Sequence, residues 1–307
     1  MKLAHLALLV PLLGLAELAG HLYFSRRAPR PEEWGATRAA VEAARQPGDV
    51  VVVSPLWAEP LARWQLGPTL FSLREVARPD VTRYPRAIEL SALGAEDPEL
   101  AGWPVRRETK VGRIVVRSRD NPAPPHVTYD FVDRLRPASA AVTVAKGEAR
   151  TPCAWVEGLP VETQGLFGAA AWPSARFRCD GEGPYVFAGV TIIDDERDRP
   201  RRCIWSHPPA GGGELVTRFA SVPLGRVLRG HTGVGHLIER DRAGAPITLR
   251  VLVAGEEVGR AVHADGDGWK PFELALAGHA GTTADVEFRA SAPDAHSRHL
   301  CFEADSR

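Results

Sequence analysis

Residues 247–276, ITLRVLVAGEEVGRAVHADGDGWKPFELAL, decide the fold. Thr248, Arg250 and Lys270 alternate with apolar neighbours, the two-residue period of a strand with one buried face. AGEE, 254–257, supplies a tight hairpin turn between two such runs. Short runs rich in Val, Ile, Phe and Trp continue outward in both directions: HVTYDFV at 126–132, AAVTVA at 140–145, CAWVEG at 153–158, ARFRC at 175–179, YVFAGVTII at 185–193, RCIWSH at 202–207, LVTRFASV at 215–222, ADVEFRAS at 284–291 and HLCFEA at 299–304. Gly, Pro and Asp punctuate them every ten residues or so, the spacing of a sandwich or barrel. No convincing amphipathic helix lies between His126 and Arg307. The expectation for 126–307 is an antiparallel β-sandwich, a jelly roll.

Asn121-Pro-Ala-Pro-Pro125 reads as a linker, and the chain before it has a different texture. Pro31-Glu32-Glu33 opens a helix, with Pro suited to the first turn and acids to the positive end of the helix dipole. Trp34, Thr37, Ala40, Val41 and Ala44 follow at helical spacing, ending before Pro47-Gly48. DVVVVSP, 49–55, has the continuous apolar character of a buried parallel strand. LWAEPLARWQL, 56–66, reads as helix with a Pro interruption. PRAIEL, 85–90, and GRIVVRS, 112–118, are further strands. Residues 31–120 are therefore expected to form a small α/β domain, so the whole chain is mainly β with a small α/β part. No internal repeat survives a check at fixed period.

The chain has 307 residues, 44% of them hydrophobic, enough for real cores. Its 38 basic and 38 acidic side chains cancel, which removes the electrostatic basis for nucleic-acid binding. Only 4 of the basic residues are Lys, an Arg bias of composition, so Arg106-Arg107 and Arg201-Arg202 are expected to be solvated surface.

Leu3 to Phe24, LAHLALLVPLLGLAELAGHLYF, is predominantly apolar and flanked by Lys2 and by Arg26, Arg27 and Arg30. As a helix it would span roughly 33 Å, against about 30 Å of bilayer core. An uncleaved membrane anchor over 1–25 is the preferred expectation. A cleavable export signal is the alternative, with Gly14-Leu15-Ala16 a better small-x-small site than one ending at Ala19. His5, Glu17 and His21 weaken a span, and no Cys follows Leu18-Ala19-Gly20 to accept lipid. The Arg-rich flank favours the cytoplasm by the positive-inside rule, whereas the cysteines favour the opposite side. Residues 25–33 form a stiff polar spacer.

Cys153, Cys179, Cys203 and Cys301 contain no Cys-x-x-Cys pair, which argues against a zinc ribbon or a thioredoxin-like centre. An even count behind an export-like segment suits two disulfides in an oxidising compartment, with Cys153–Cys179 and Cys203–Cys301 favoured of the three pairings. The second would staple the strand HLCFEA onto RRCIW. Four buried free thiols are the alternative.

Two resemblances accompany these readings. Residues 34–67, with a Trp-led helix, a Pro-Gly-Asp turn, a Val-rich strand and an aromatic-bearing helix, resemble the extracytoplasmic region of dolichyl-phosphate-mannose-type membrane glycosyltransferases. The multi-span catalytic part of those enzymes is absent, so the resemblance implies location and not transferase activity. Residues 126–307 resemble a galactose-binding-like jelly roll by strand pattern and closing strand, which implies a carbohydrate or surface-partner site by analogy of fold.

Candidate chemistry concentrates in four places. Asp194-Asp195-Glu196 with Arg197, Asp198 and Arg199 is a carboxylate cluster that would suit a cation, or more simply a strand end turning through an internally paired charge run. His263-Ala264-Asp265-Gly266-Asp267-Gly268-Trp269 spaces acids as a cation loop does. It lacks the third early ligand and the later Glu of an EF-hand, which favours a Gly-Asp turn. As an edge loop it would offer Trp269 to a sugar ring and Asp265 and Asp267 to its hydroxyls. Trp205-Ser206-His207 is the third cluster. His231 and His236 are the fourth, two histidines without a third zinc ligand. Gly230–Gly235, GHTGVG, lacks the βαβ context of a dinucleotide fingerprint. No phosphate loop, no His-Glu-x-x-His and no Gly-x-Ser-x-Gly is present, and no catalytic motif, metal or cofactor is assigned.

The resulting expectation is an extracytoplasmic, membrane-anchored protein whose sandwich binds a glycan or an envelope protein through Trp205, His207, Asp265, Asp267 and Trp269. The alternatives are an accessory subunit of a glycosyltransferase, a hydrolase using the 194–199 acids, or a structural envelope protein.

Overall fold

The computed structural model describes residues 3–159, 162–163 and 171–307. The chain divides into two compact units, the first running to Val76 and resuming over Tyr84–Pro124, the second made of Ala77–Arg83 and Pro125–Arg307.

The first unit begins with helix α1, Leu3–Arg27, which carries Pro11 inside it. Its side chains are described from Val10 onward, and Leu12, Leu13, Leu15, Leu18 and Phe24 are all exposed. Lys2 lies outside the described residues. Among the described residues no helix is long and apolar enough to cross a membrane. The membrane span expected over 1–25 is therefore not found; the polar Glu17 and His21 and the basic end lower the apolar character of the described part.

The helix expected from Pro31 is two short ones, α2 (Pro31–Ala36) and α3 (Arg38–Ala44). They meet at Thr37, whose hydroxyl donates to Trp34 O at 2.7 Å. Glu33 accepts from the Arg30 backbone N–H at 2.7 Å, tying off the start of α2. The apolar run becomes β1 (Val50–Ser54), buried along its whole length. It is followed by α4 (Glu59–Leu66) and α5 (Leu73–Val76). β2 (Arg86–Ala92) pairs with β1 in parallel, Val50 opposite Ala87. β3 (Val105–Val111) and β4 (Ile114–Asp120) complete an antiparallel side, giving the order β1-β2-β4-β3. β3, VRRETKV, has no apolar face to announce it, because it is a largely exposed edge strand. Trp34, Val41, Val51, Val53, Ala62, Leu66, Ile88, Leu90 and Ile114 form the core on one side of this sheet.

The regular structure described in the second unit is almost entirely strand. In chain order it contains β5 (Tyr129–Asp130), β6 (Ala140–Lys146), β7 (Ala149–Pro152), β8 (Ala154–Val156), β9 (Glu162–Thr163), β10 (Ala171–Trp172) and β11 (Arg176–Arg178). Then come β12 (Phe187–Asp194), β13 (Pro200–Ser206), β14 (Glu214–Pro223), β15 (Val227–Val234), β16 (Ile247–Val253), β17 (Glu256–His263), β18 (Lys270–Ala275), β19 (Thr283–Ser291) and β20 (Leu300–Ser306). One sheet has the order β17-β16-β19-β14-β6-β7, the other β18-β15-β20-β13-β12-β11-β8, with β5 beside β20. All these pairings are antiparallel, and the inner faces of both sheets supply one core that includes Phe131, Phe219, Phe288 and Phe302. The β-sandwich is thus present. The β16–β17 hairpin turns through Ala254 and Gly255, both at positive φ, as a tight two-residue turn requires.

Among the elements that escape the sequence pattern, two bear on the site. A short helix, α6 (His236–Asp241), interrupts the strands between β15 and β16, against the expectation of none. β15 itself is hidden by Gly230 and Gly233. A Cβ at Gly230 would run into Glu303 O, and one at Gly233 would lie 2.6 Å from the Trp269 ring, so neither position accepts the β-branched residue that marks a strand.

Ala77–Arg83 departs from the expected 31–120 domain and belongs to the sandwich unit. β13 and β20 pair only through Ile204–Phe302 and Trp205–Cys301. Beyond that point Arg202 N–H donates to Ala77 O at 2.8 Å, so the strap takes up backbone groups that β20 has left. Arg307 reaches Asp80 at 2.7 Å, and Arg83 reaches Asp130 at 2.6 Å. Burial opposes ionisation of Asp80, but hydrogen bonds from Thr82 and Arg307 outweigh it and bring its carboxyl down to about 2. Arg201, expected on the surface, is buried against Asp195 at 2.9 Å, and Arg202 pairs with Asp133 at 2.8 Å.

All four cysteines are bonded, Cys153 to Cys179 with Cα atoms 4.2 Å apart and Cys203 to Cys301 with Cα atoms 5.6 Å apart. The second bridge sits where β13 and β20 begin to diverge.

Candidate functional site

The five residues singled out in the sequence do not form one surface. Trp269 packs inward: its ring lies parallel to His231 at 5.6 Å, and its indole N–H donates to Pro79 O at 2.8 Å. The ring is half-buried, closes over Gly233 and is tied by its N–H to the Ala77–Arg83 strap. Asp265 is engaged by Arg298 at 2.7 Å and by Gly244 N–H at 2.9 Å, with both charged side chains almost wholly buried. Asp267 closes its own turn, accepting from Ala264 N–H at 2.8 Å and from Lys270 at 2.9 Å. These three hold the Gly-Asp loop together, the simpler of the two readings of that stretch.

Trp205 and His207 lie elsewhere, on β13 and just beyond it. Trp205 is 2% exposed and packs parallel to Phe187 at 5.3 Å, so it is core and not a contact surface. Its indole N–H donates to Tyr185 O at 2.8 Å and holds the chain entering β12. His207, by contrast, lines a cleft.

That cleft, about 530 Å³, opens among three connections: the one entering β12, the one leaving β13 and the one between β19 and β20. β12, β13 and β20 are neighbours in one sheet, which is why three segments distant in sequence meet there. Tyr185, His207 and His299 form its ring-bearing wall. Tyr185 lies 5.0 Å from His299 and 6.0 Å from His207, ring centre to ring centre and near parallel; the two imidazoles are 5.2 Å apart. His299 also touches Trp205 at 4.9 Å, so the wall is backed by the buried ring stack. Glu182, Asp294 and His296 line the more open side.

Burial keeps both imidazoles of the wall uncharged near neutral pH. It draws His207 down to about 4, with the positive field of Arg298 adding to the effect. It draws His299 down to about 3, with His207 and Arg298 contributing. His207 Nδ1 lies 2.7 Å from Pro208 O. A carbonyl only accepts, so Nδ1 carries the proton and Nε2 keeps its lone pair. The wall thus combines flat apolar faces with neutral nitrogen donors and acceptors. Tyr185 and His299 were missed in the sequence because each stands one or two residues outside a strand, and nothing local marks them; only the order β12-β13-β20 brings them to His207.

The remaining clusters have structural duties. Asp195 accepts from the backbone N–H groups of Arg197 and Arg199 at 2.8 and 3.1 Å and pairs with Arg201, closing the β12–β13 turn. Asp194 is held above the ordinary carboxylate range by burial and by Asp198 and Asp195. His231 bonds Glu303 at 2.6 Å, whereas His236 lies 3.5 Å from Asp198, so the two histidines have separate partners. Among the described residues no group of three or more His, Cys, Asp or Glu is arranged to hold a metal ion.

No family model matches the chain, and no curated protein matches it. Solved structures that contain carbohydrate-binding modules are among those similar at low identity. One is CBM51-2 in complex with GlcNAc, with the INT domains, from Clostridium perfringens ZmpB: 10% identity, TM-score 0.28, covering 54% of this chain and 37% of that one. A second joins the M60 catalytic domain of the same protein to CBM51-1 and CBM51-2: 8% identity, TM-score 0.30, covering 65% and 22%. A third is CBM36 in complex with calcium and xylotriose: 13% identity, TM-score 0.18, covering 50% and 95%. The chain spans little more than a third of the first of these, and likenesses so distant carry no argument about what it binds. None of the three is a glycosyltransferase, and nothing accompanies the resemblance noted for residues 34–67.

Proposed function

We propose that the second unit is a jelly-roll binding module for a carbohydrate presented outside the cytosol, seated in the cleft walled by Tyr185, His207 and His299. The observation that carries the reading is that wall. Three rings within 5.0–6.0 Å of one another face a cleft of about 530 Å³, a size that suits a few sugar rings. An aromatic face packs on the apolar face of a pyranose, and neutral imidazoles exchange hydrogen bonds with its hydroxyls. Two disulfides support an oxidising, extracellular or periplasmic setting. The exposed leucines of α1 support a part for that helix in export or attachment, which separation of membrane from soluble fractions would test.

The test is a glycan array probed with the full chain and with Tyr185→Ala. The reading predicts specific binders that the variant loses by at least tenfold in affinity. An array on which the full chain binds nothing contradicts it.

A further inference from the structure

We infer that the cleft selects a neutral, hydroxyl-rich ligand over a carboxylated or phosphorylated one, and that His207 Nε2 accepts a hydrogen bond from a ligand hydroxyl. The inference rests on the carbohydrate reading of the cleft and adds the class of sugar.

The charges around the cleft carry it. Among the described residues the cleft is lined by Glu182, Asp294 and His296 and by no Lys or Arg. Two cations beside the lining residues are already engaged. Lys146 pairs with Glu182 at 2.7 Å. Arg298 is held by Asp265 at 2.7 Å and by the carbonyls of Ala245 and His296, each at 3.3 Å. Asp294 directs one oxygen to His296 N–H at 2.9 Å and stays exposed at the rim. An anionic group entering here would leave water and find, among the described lining residues, carboxylates and no guanidinium or ammonium, an arrangement that disfavours burial of charge.

A polyol meets the opposite situation. With its Nδ1–H given to Pro208 O, His207 has only the Nε2 lone pair to offer, and that lone pair needs a donor. A hydroxyl supplies one, while an ionised carboxylate or phosphate supplies acceptors only. Tyr185 and His299 line the cleft beside it. The carboxylates of Glu182 and Asp294 likewise accept from hydroxyls.

The experiment uses the full chain and a panel of neutral oligosaccharides, each printed beside the same glycan oxidised to the carboxylate at C6. The expected result is binding to one or more neutral glycans, with the oxidised counterpart at least tenfold weaker by calorimetry. His207→Phe, checked for folding by near-ultraviolet circular dichroism, is expected to weaken the neutral ligand at least tenfold, and His207→Gln, which keeps an acceptor, to lose less. Equal or tighter binding of the oxidised form, or an unchanged affinity in His207→Phe, overturns this inference and leaves the carbohydrate reading intact. A panel with no binder in either form overturns the carbohydrate reading and this inference with it.

Discussion

Two kinds of aromatic residue share the outer side of the eight-stranded sheet, and they respond differently to truncation. Trp205 is buried against Phe187, so Trp205→Ala is expected to lose about 3–5 kcal/mol of stability, read as a lowered urea midpoint. Tyr185 is half-buried at the edge of the cleft, so Tyr185→Ala is expected to lose about 1 kcal/mol or less while abolishing ligand binding. Equal losses in the two variants would contradict the separation of core from contact surface. Acid sensitivity belongs to this scale too. His207 and His299 are held at about 4 and 3, below the ordinary 6.5, so the unfolded chain takes up protons that the native state refuses. Their contribution to stability is complete above about pH 6.5 and is lost as pH falls toward 4 and 3. Asp80 acts lower, its contribution present above its ordinary 3.8 and lost as pH falls through about 2. Urea midpoints at pH 7.5, 5.5 and 4.5 should therefore decline, and His299→Phe should flatten the decline; a slope unchanged in that variant would contradict the assignment.

At the scale of elements, the disulfides and the glycine strand stand out. Cys203–Cys301 closes a loop of 98 residues, worth about 4.7 kcal/mol in the chain-entropy account, against about 3.5 kcal/mol for the 26-residue loop of Cys153–Cys179. Paired Cys→Ala replacements are expected to lower thermal midpoints in that order, and the reverse order would place the staple elsewhere. Gly230→Ala is expected to destabilise the sandwich, because its Cβ would meet the Glu303 carbonyl of the neighbouring strand; a variant that melts with the parent would show β15 paired otherwise. The same residues show what was legible in the sequence. The β16–β17 hairpin was, since alternation and a two-residue turn act locally. β15 was not, since its glycines answer to Glu303 and Trp269, which are far along the chain. α6 was not, since HLIERD is short and lacks an apolar stripe. The strap at 77–83 was not, since no local pattern states that β13 and β20 will part and leave backbone groups to be satisfied. In the cleft only His207 could be named in advance; Tyr185 and His299 required the strand order.

Across the molecule, the chain first builds a small α/β unit around Val51, Val53 and Ile88, lends Ala77–Arg83 to the sandwich, and then completes each unit separately. Within the sandwich the ordering is physical. One core joins the two sheets, a second cluster of Phe187, Trp205 and Trp172 covers the outer side, and the cleft opens where that cluster ends in Tyr185 and His299. Ligand binding is expected to raise the thermal midpoint in proportion to the logarithm of free ligand, because only the folded state carries the wall. The most direct measurement is a nitrogen-15 histidine side-chain spectrum of the full chain, titrated with a neutral oligosaccharide that binds it. The account predicts that the imidazole signals of His207 and His299 move with saturation while those of His231 and His263, engaged with Glu303 and near Glu239, stay in place. Signals that move at His231 or His263, with His207 and His299 unchanged, would contradict it.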